Sequence, residues 1–226
     1  GIRYGCPRPE GEPVNARAEI LDRIRSALRD APAVPEVPRG YRRSSELGEE
    51  ELIELLTDRL LDYKANVFVE DAAAVPQRLA ALLEGTGRYA VPHGLDQALF
   101  AEADAHDGGP GRRVTDAPGH RLSVEELDGV DAVVTGSAVA VAETGTIVLD
   151  ASPGQGRRVI SLVPDRHICL VRAGDITAIL PEALSRLDAT RPQTWISGPS
   201  ATSDIELERV EGVHGPRTLD VVIVRG

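Results

Sequence analysis

An α/β fold is what the sequence predicts: a mostly parallel sheet flanked by helices, with an antiparallel portion beside it. Three observations carry that expectation. From Gly48 onward, runs with helical apolar spacing alternate with short Val- and Ile-rich runs, the pattern of strands joined by crossover helices. Between residues 138 and 172 the strand-like runs crowd too closely for helices to intervene, which predicts antiparallel pairing there. The chain has 226 residues, 42% hydrophobic but only 3% aromatic, enough for a core built of Leu, Val, Ile and Ala.

Residues 1–47 read as an arm and 48–226 as the α/β domain. Asn15 opens a helix in which Ile20, Ile24 and Leu28 make a stripe at helical spacing, with Glu19 placed to reach back toward the cap. The stripe needs a partner surface, on its own domain or on a second subunit. The Pro-rich "DAPAVPEVPRG" has no periodicity and reads as an extended strap. Beyond it, "EEELIELLTDRLLDY" is a helix, "ANVFVE" a strand, and "DAAAVPQRLAALLEG" a helix kinked or started at Pro76. "RYAVP" is a short strand, "LDQALFAEA" a helix and "HDGGPG" a loop. Ser123 caps a short helix, with Glu126 at its third position. "DAVVTG" is a buried strand, "AVAVAETGTIVLD" strand–turn–strand, and "RRVISLVP" and "HICLVR" are two further strands. "DITAILPEALSRL" is helical, "TWISGPS" a strand entering a loop, and "LDVVIV" the last strand.

The net charge of −11 argues against a non-specific nucleic-acid binder, which needs a basic face to displace counterions. The basic charge is almost wholly arginine, Lys64 being the one lysine, which reads as codon bias. No apolar run approaches the ~18 residues of a membrane span. The start "GIRYGCPRPEGEP" lacks the apolar stretch of a signal peptide, so a reducing cytoplasm is the expected location. Cys6 and Cys169 make neither a disulfide framework nor a CxxC site. An iron–sulfur cluster would want about four thiolates, so none is expected on this chain; the scattered histidines make no metal set either.

Two stretches could carry chemistry. In "VTGSAVAVAETGTIVL", Thr135, Gly136 and Ser137 form a small hydroxyl-bearing loop at the carboxyl end of a buried strand, where α/β sheets bind ligands. Period-2 counting then places Val139, Val141 and Glu143 on one face, and an unpartnered carboxylate buried there would be costly or would take up a proton. Gly145 permits a bend that lifts Glu143 into a cleft, beside the hydroxyls of Thr144 and Thr146. Glu143 then reads as a nucleophile, a general base or a hydrogen-bond acceptor; the alternative is a hairpin with Glu143 as a solvated turn residue. In "WISGPSATSDIELERVEGVHGPRTLDVVIV", a strand runs into Gly198, Pro199 and Ser200, then a helix-like stretch with Asp204 and Glu206, an arrangement that offers backbone amides to an anion. His214, Gly215, Pro216 and Arg217 precede the last strand, and Arg217 is suited to fork a carboxylate or phosphate. The alternative is a pair of Gly-Pro turns joining core elements. His167 reads as structural.

These two stretches resemble the signature regions of the LUD domain, and more narrowly its lactate utilisation branch. The resemblance rests on A-E-T-G-T followed by G-P-S-x-T-x-D-I-E and G-x-H-G-P-R in that order, and covers roughly 48–226. It implies a Rossmann-like fold similar to the ribose-5-phosphate isomerase, glucosamine-phosphate deaminase and CoA-transferase group. It also implies a part in the oxidation of L-lactate to pyruvate with two partner proteins that carry the iron–sulfur clusters. "AETGTIV" is loosely similar to the Ser-Glu-Asn-Gly stretch of CoA transferases, with Glu143 at the position of the attacking Glu. Three readings stand: a subunit of a lactate-oxidising complex binding a small carboxylate or phosphate; a free-standing CoA-transferase, sugar-phosphate isomerase or cyclo-ligase using Glu143; or a regulatory binding module. The four glycine- and hydroxyl-bearing segments, 135–137, 143–146, 198–200 and 214–217, are expected to meet at the carboxyl edge of one sheet.

Overall fold

The computed structural model describes residues 16–29, 36–105, 109–202, 210–211 and 215–226. Contacts divide the chain into two units, 1–41 and 42–226. In the first, α1 (Ala16–Ala27) carries an ion pair between Glu19 and Arg23 one turn apart, and leaves Ile20, Ile24 and Leu28 exposed. Asn15 lies outside the described residues.

In the second unit, α2 (Glu49–Asp62) begins with three glutamates, which suit the positive end of the helix dipole. Its apolar face buries Ile53, Leu56 and Leu60. The strands β1 (Asn66–Asp71), β2 (Tyr89–Pro92), β3 (Arg113–Asp116), β4 (Ala132–Gly136), β7 (Arg166–Arg172) and β12 (Thr218–Arg225) form one sheet, in the order β1-β12-β7-β4-β2-β3, every pair parallel. Parallel neighbours require crossovers, and these are supplied by α3 (Val75–Leu82), α4 (Ala101–Ala105) and α5 (Val124–Asp128). Pro76 sits in the first turn of α3, where its missing N–H costs nothing. Ser123 and Glu126 close the expected capping box on α5.

Both faces of this sheet are apolar, in strict alternation. Ile168, Leu170 and Val222 face α3 and α4; Cys169, Val171, Val221 and Ile223 face α2 and a second sheet. That second sheet joins β5 (Val139–Val141), β6 (Thr146–Leu149), β8 (Ile176–Thr177) and β9 (Thr194–Ile196) in the order β8-β5-β6-β9, with β6 antiparallel to both neighbours. Ala140, Ala142, Ile147 and Leu149 face the parallel sheet, while Val139, Val141 and Val148 pack under α6 (Leu180–Arg186). The expected mix of parallel sheet and antiparallel portion is therefore present, as two stacked sheets. A short ribbon pairs β10 (Ala201–Thr202) with β11 (Val210–Glu211).

One expected strand is not a strand. Within "RRVISLVP", Arg158–Ser161 form a 3-10 turn that drops Ile160 among Leu122, Leu127 and Val133. Gly156, at φ 72°, turns the chain just before it, and adjacent apolar residues suit a turn packed at a sheet end as well as a strand.

Two glycines fix how the second sheet seats. Gly145 (φ 61°) closes the β5–β6 hairpin, and a Cβ there would lie 2.8 Å from the Arg59 Cβ and 3.2 Å from the Tyr63 ring. Gly198 (φ 84°) would place a Cβ 2.6 Å from the Tyr63 Cβ. Both combine a left-handed backbone with close contact to the end of α2. Gly198→Ala is expected to cost at least about 2 kcal/mol in urea unfolding. Gly174→Ala, with nothing within 4 Å of the added carbon, should stay within about 0.5 kcal/mol.

Candidate functional site

β4 ends at Gly136, at the carboxyl edge of the parallel sheet, and the chain then reverses. β5 runs back along the α2 face, so the hairpin tip at 142–145 meets Tyr63, three residues before β1 begins. That is the amino edge. β9, antiparallel to β6, runs the same way and delivers Ser197–Ser200 there. The segment entering β12 closes the group, with the Ser200 N–H donating to the Pro216 carbonyl at 2.9 Å. The expected single cleft at the carboxyl edge is therefore divided. Segments 143–146, 198–200 and 215–217 gather at the amino edge, whereas Gly136 and Ser137 stay at the carboxyl edge. The hairpin reversal is the physical cause. Asp204, Glu206 and His214 lie outside the described residues.

Glu143 is not buried. β5 stops at Val141, so period-2 counting does not reach Glu143, which stands half-exposed in the turn. Its N–H donates to the Ala178 carbonyl, and its carboxylate accepts from Arg42 Nη2 at 2.6 and 2.7 Å. The reading of Glu143 as a solvated turn residue describes this geometry. Thr144, Thr146 and Ser197 form a hydroxyl chain, with oxygens 2.8 and 2.9 Å apart, that ties the hairpin to the end of β9. Arg217 is exposed and faces Asp165 at 3.3 Å, so its fork is directed to a neighbouring loop.

At the amino edge lies a cavity of about 180 Å³ lined by Gly198, Pro199, Ser200, Gly215 and Pro216, with Ile196 and Leu219 as apolar wall. The same cavity is lined by Arg158, Ser161, Leu162, His167 and Trp195, none of which was expected to serve the site. Arg158 is exposed, and among the described residues it forms no ion pair. His167 is 1% exposed, and burial pushes its pKa down to about 4, so the ring is neutral at neutral pH. Its Nε2 lies 2.7 Å from Thr135 Oγ1. Thr135 Oγ1 also points at Cys169 Sγ, and Cys169 Sγ at the Gly136 carbonyl, each at 3.9 Å. If each group donates to the next, Nε2 carries the proton and Nδ1 keeps its lone pair. Thr135 thus belongs to the amino-edge cavity through His167, while its neighbours in sequence do not. Burial also pushes the Cys169 thiol up to about 12.

At the carboxyl edge, a cleft of about 380 Å³ is lined by Gly94, Gly136, Ser137, Gly154, Leu170 and Arg172. Here glycine serves close backbone approach: a Cβ on Gly94 would lie 2.4 Å from Pro153, and the Gly136 N–H donates to the Gly154 carbonyl at 2.8 Å. Ser137 Oγ donates to the Leu170 carbonyl. No group of three or more metal-ligating side chains occurs among the described residues, and none of the described helices is long and apolar enough to cross a membrane.

A six-stranded parallel sheet with a hairpin sheet folded back over one face, and clefts at both ends, defines a layered α/β domain whose polar groups come from loops. The chain belongs to the LUD domain family, which matches residues 50–224. It is 43% identical over 214 residues to Lactate utilization protein C of Deinococcus radiodurans, covering 92% of this chain and 95% of that one. Its likeness to Lactate utilization protein C of Shouchella clausii is 28% over 191 residues, covering 76% and 83% of the two chains. Among solved structures it resembles a crystal structure of a DUF162 family protein from Deinococcus radiodurans, with TM-score 0.65 and 37% identity over 79% of this chain and 99% of that one.

Since His167 is neutral when folded and titrates near 6.5 when free, the unfolded chain binds the extra proton first. Its contribution is whole above about pH 6.5 and is lost as pH falls toward 4, about 3 kcal/mol in total. Asp116 and Asp150, whose carboxyls are held below their usual range, act only at lower pH. His167→Gln should therefore flatten the melting temperature against pH between 6.5 and 4, and leave the steeper acid limb below it.

Proposed function

We propose that this chain serves L-lactate utilisation as a non-redox subunit acting with iron–sulfur partner proteins, and that it holds a small carboxylate in the amino-edge cavity. The observation that carries this reading is a guanidinium, Arg158, that forms no ion pair among the described residues, and a neutral imidazole, His167, both lining one small cavity with an apolar wall. A guanidinium fork matches a carboxylate in geometry and charge. With the proton on Nε2, as the chain of donors through Thr135 and Cys169 requires, the Nδ1 of His167 accepts a hydroxyl hydrogen. Ile196 and Leu219 suit a short alkyl group. A 2-hydroxy acid offers these three features on adjacent carbons. The relatives' names supply the pathway, and the cysteine inventory suits clusters held by partners rather than by this chain. Conversion of lactate to pyruvate releases two electrons and two protons, and the electrons leave through the partners. A cytoplasmic location fits those clusters.

Titration calorimetry with L-lactate and with pyruvate tests the cavity. Arg158→Gln should weaken binding at least tenfold, while Glu143→Gln, a change at an exposed turn, should alter neither binding nor, beyond about 0.5 kcal/mol, stability. Lactate-dependent dye reduction should require the iron–sulfur proteins; turnover by the isolated chain would overturn the subunit reading. A tenfold loss on Glu143→Gln would restore the catalytic reading of that residue.

A further inference from the structure

A second cleft, of about 340 Å³, opens at the carboxyl edge beyond β2 and β3. Its walls are the turn after β3 and the loop from Ala151 to Arg157, and it is lined by His93, Arg121, Arg157 and Arg191. Three guanidiniums on one cleft are unexpected in a chain of net charge −11. Two of them are fixed from behind. Arg157 donates through Nε and Nη2 to Asp116 at 2.9 and 2.5 Å, and through Nη2 to the Leu122 carbonyl. Arg191 donates through Nη1 to Asp150 at 2.6 Å and to Ser152 Oγ at 2.8 Å. Both carboxylates are sunk beneath the surface, with side chains 4% and 12% exposed, whereas the guanidinium-bearing side chains are 34% and 42% exposed. Asp116 also lines the cleft, beside Arg157, but in both pairs the guanidinium is the more exposed partner. Among the described residues Arg157 Nη1 and Arg191 Nη2 form no hydrogen bond, and Arg121 is exposed without an ion pair.

The backbone of the loop is strained in the same place. Ala151 adopts φ 59°, a left-handed conformation costly for a side chain with a Cβ. Asp150 holds it there by accepting from both the backbone and the hydroxyl of Ser152. Strain retained beside a prearranged set of donors is a pattern of ligand sites rather than of plain connections.

We infer that this cleft is a binding site for a phosphate group, distinct from the carboxylate cavity at the opposite edge of the sheet. The donors decide the class. A carboxylate has two oxygens and satisfies one fork, whereas a phosphate presents three or four oxygens to three guanidiniums. The volume exceeds that of phosphate alone, so the physiological ligand is a phosphorylated small molecule whose organic part extends past Ser152, a residue shared with the neighbouring Gly136 cleft.

The test is calorimetry on the full chain with inorganic phosphate and pyrophosphate, in chloride buffer of fixed ionic strength. Wild type should bind in the millimolar range or tighter. Arg121→Gln, which removes an exposed group with no ion pair among the described residues, should leave the fold intact and weaken binding at least tenfold, and so should Arg191→Gln. Arg88→Gln, an exposed arginine elsewhere, should not. Absence of phosphate binding by folded wild type at 20 mM overturns the inference, as does an equal loss in Arg88→Gln, which would mark bulk charge attraction. Should Arg191→Gln fail to fold by circular dichroism, Arg121→Gln decides alone.

Discussion

Everything at the amino edge depends on how closely two backbones approach one side chain. Tyr63, at the end of α2, receives Gly198 against its Cβ and Gly145 against its ring. A Cβ at Gly198 would come closer to Tyr63 than packed atoms allow, and one at Gly145 would crowd the ring and meet the Arg59 Cβ at 2.8 Å. The hairpin tip, the loop after β9 and the helix end are thereby locked as one unit, and the Thr144–Thr146–Ser197 hydroxyl chain stitches the same pieces together from the other side. The cavity with Arg158 and His167 is bounded by what this lock holds still. The glycines of A-E-T-G-T and G-P-S are thus explained by packing, without any ligand.

The hairpin reversal after Gly136 is the second determinant. It lays Ala140, Ala142, Ile147 and Leu149 over Cys169, Val171 and Val221, burying an apolar face that α2 alone does not cover. It also separates residues that are neighbours in sequence. Thr135 faces His167 on one side of the sheet, and Gly136 one residue later supports the loop at the carboxyl edge. The segment just before α2 is tied to α6, since the Ser45 N–H donates to Glu182, which also accepts from the N–H groups of Ala178 and Ile179 at the start of that helix.

Most of the fold is legible in the sequence because both signals behind it are strong here. Most strands of the parallel sheet hold a short apolar run with turn residues at each end, the edge strand β3, Arg-Val-Thr-Asp, being the exception that the sequence reading missed, and the long helix α2 shows a wide apolar face. What misleads is the extrapolation of a period beyond its element. Val139, Val141 and Glu143 share a parity but not a strand, since the turn begins at Ala142. Segment 157–163 fails for a related reason: apolar neighbours without alternation suit a packed turn equally well. The site was half legible. Glycine and hydroxyl clusters found the loops that meet, but Arg158 and His167 carry no local pattern that distinguishes them from a surface arginine and a core histidine. Only the topology, which brings the 3-10 turn and the start of β7 under β9, joins them.

Cys169 sits on the middle of β7, between β12 and β4, fully buried, with its thiol held protonated. A thiol reagent reaches it only when those strands part, because local fraying at loops or helix ends does not uncover the centre of a sheet covered on both faces. With a reagent that reacts before the sheet recloses, its rate of modification counts openings of the whole sheet per unit time. The protein carries its own clock for global unfolding, built into the strand that runs from the histidine cavity to the glycine cleft.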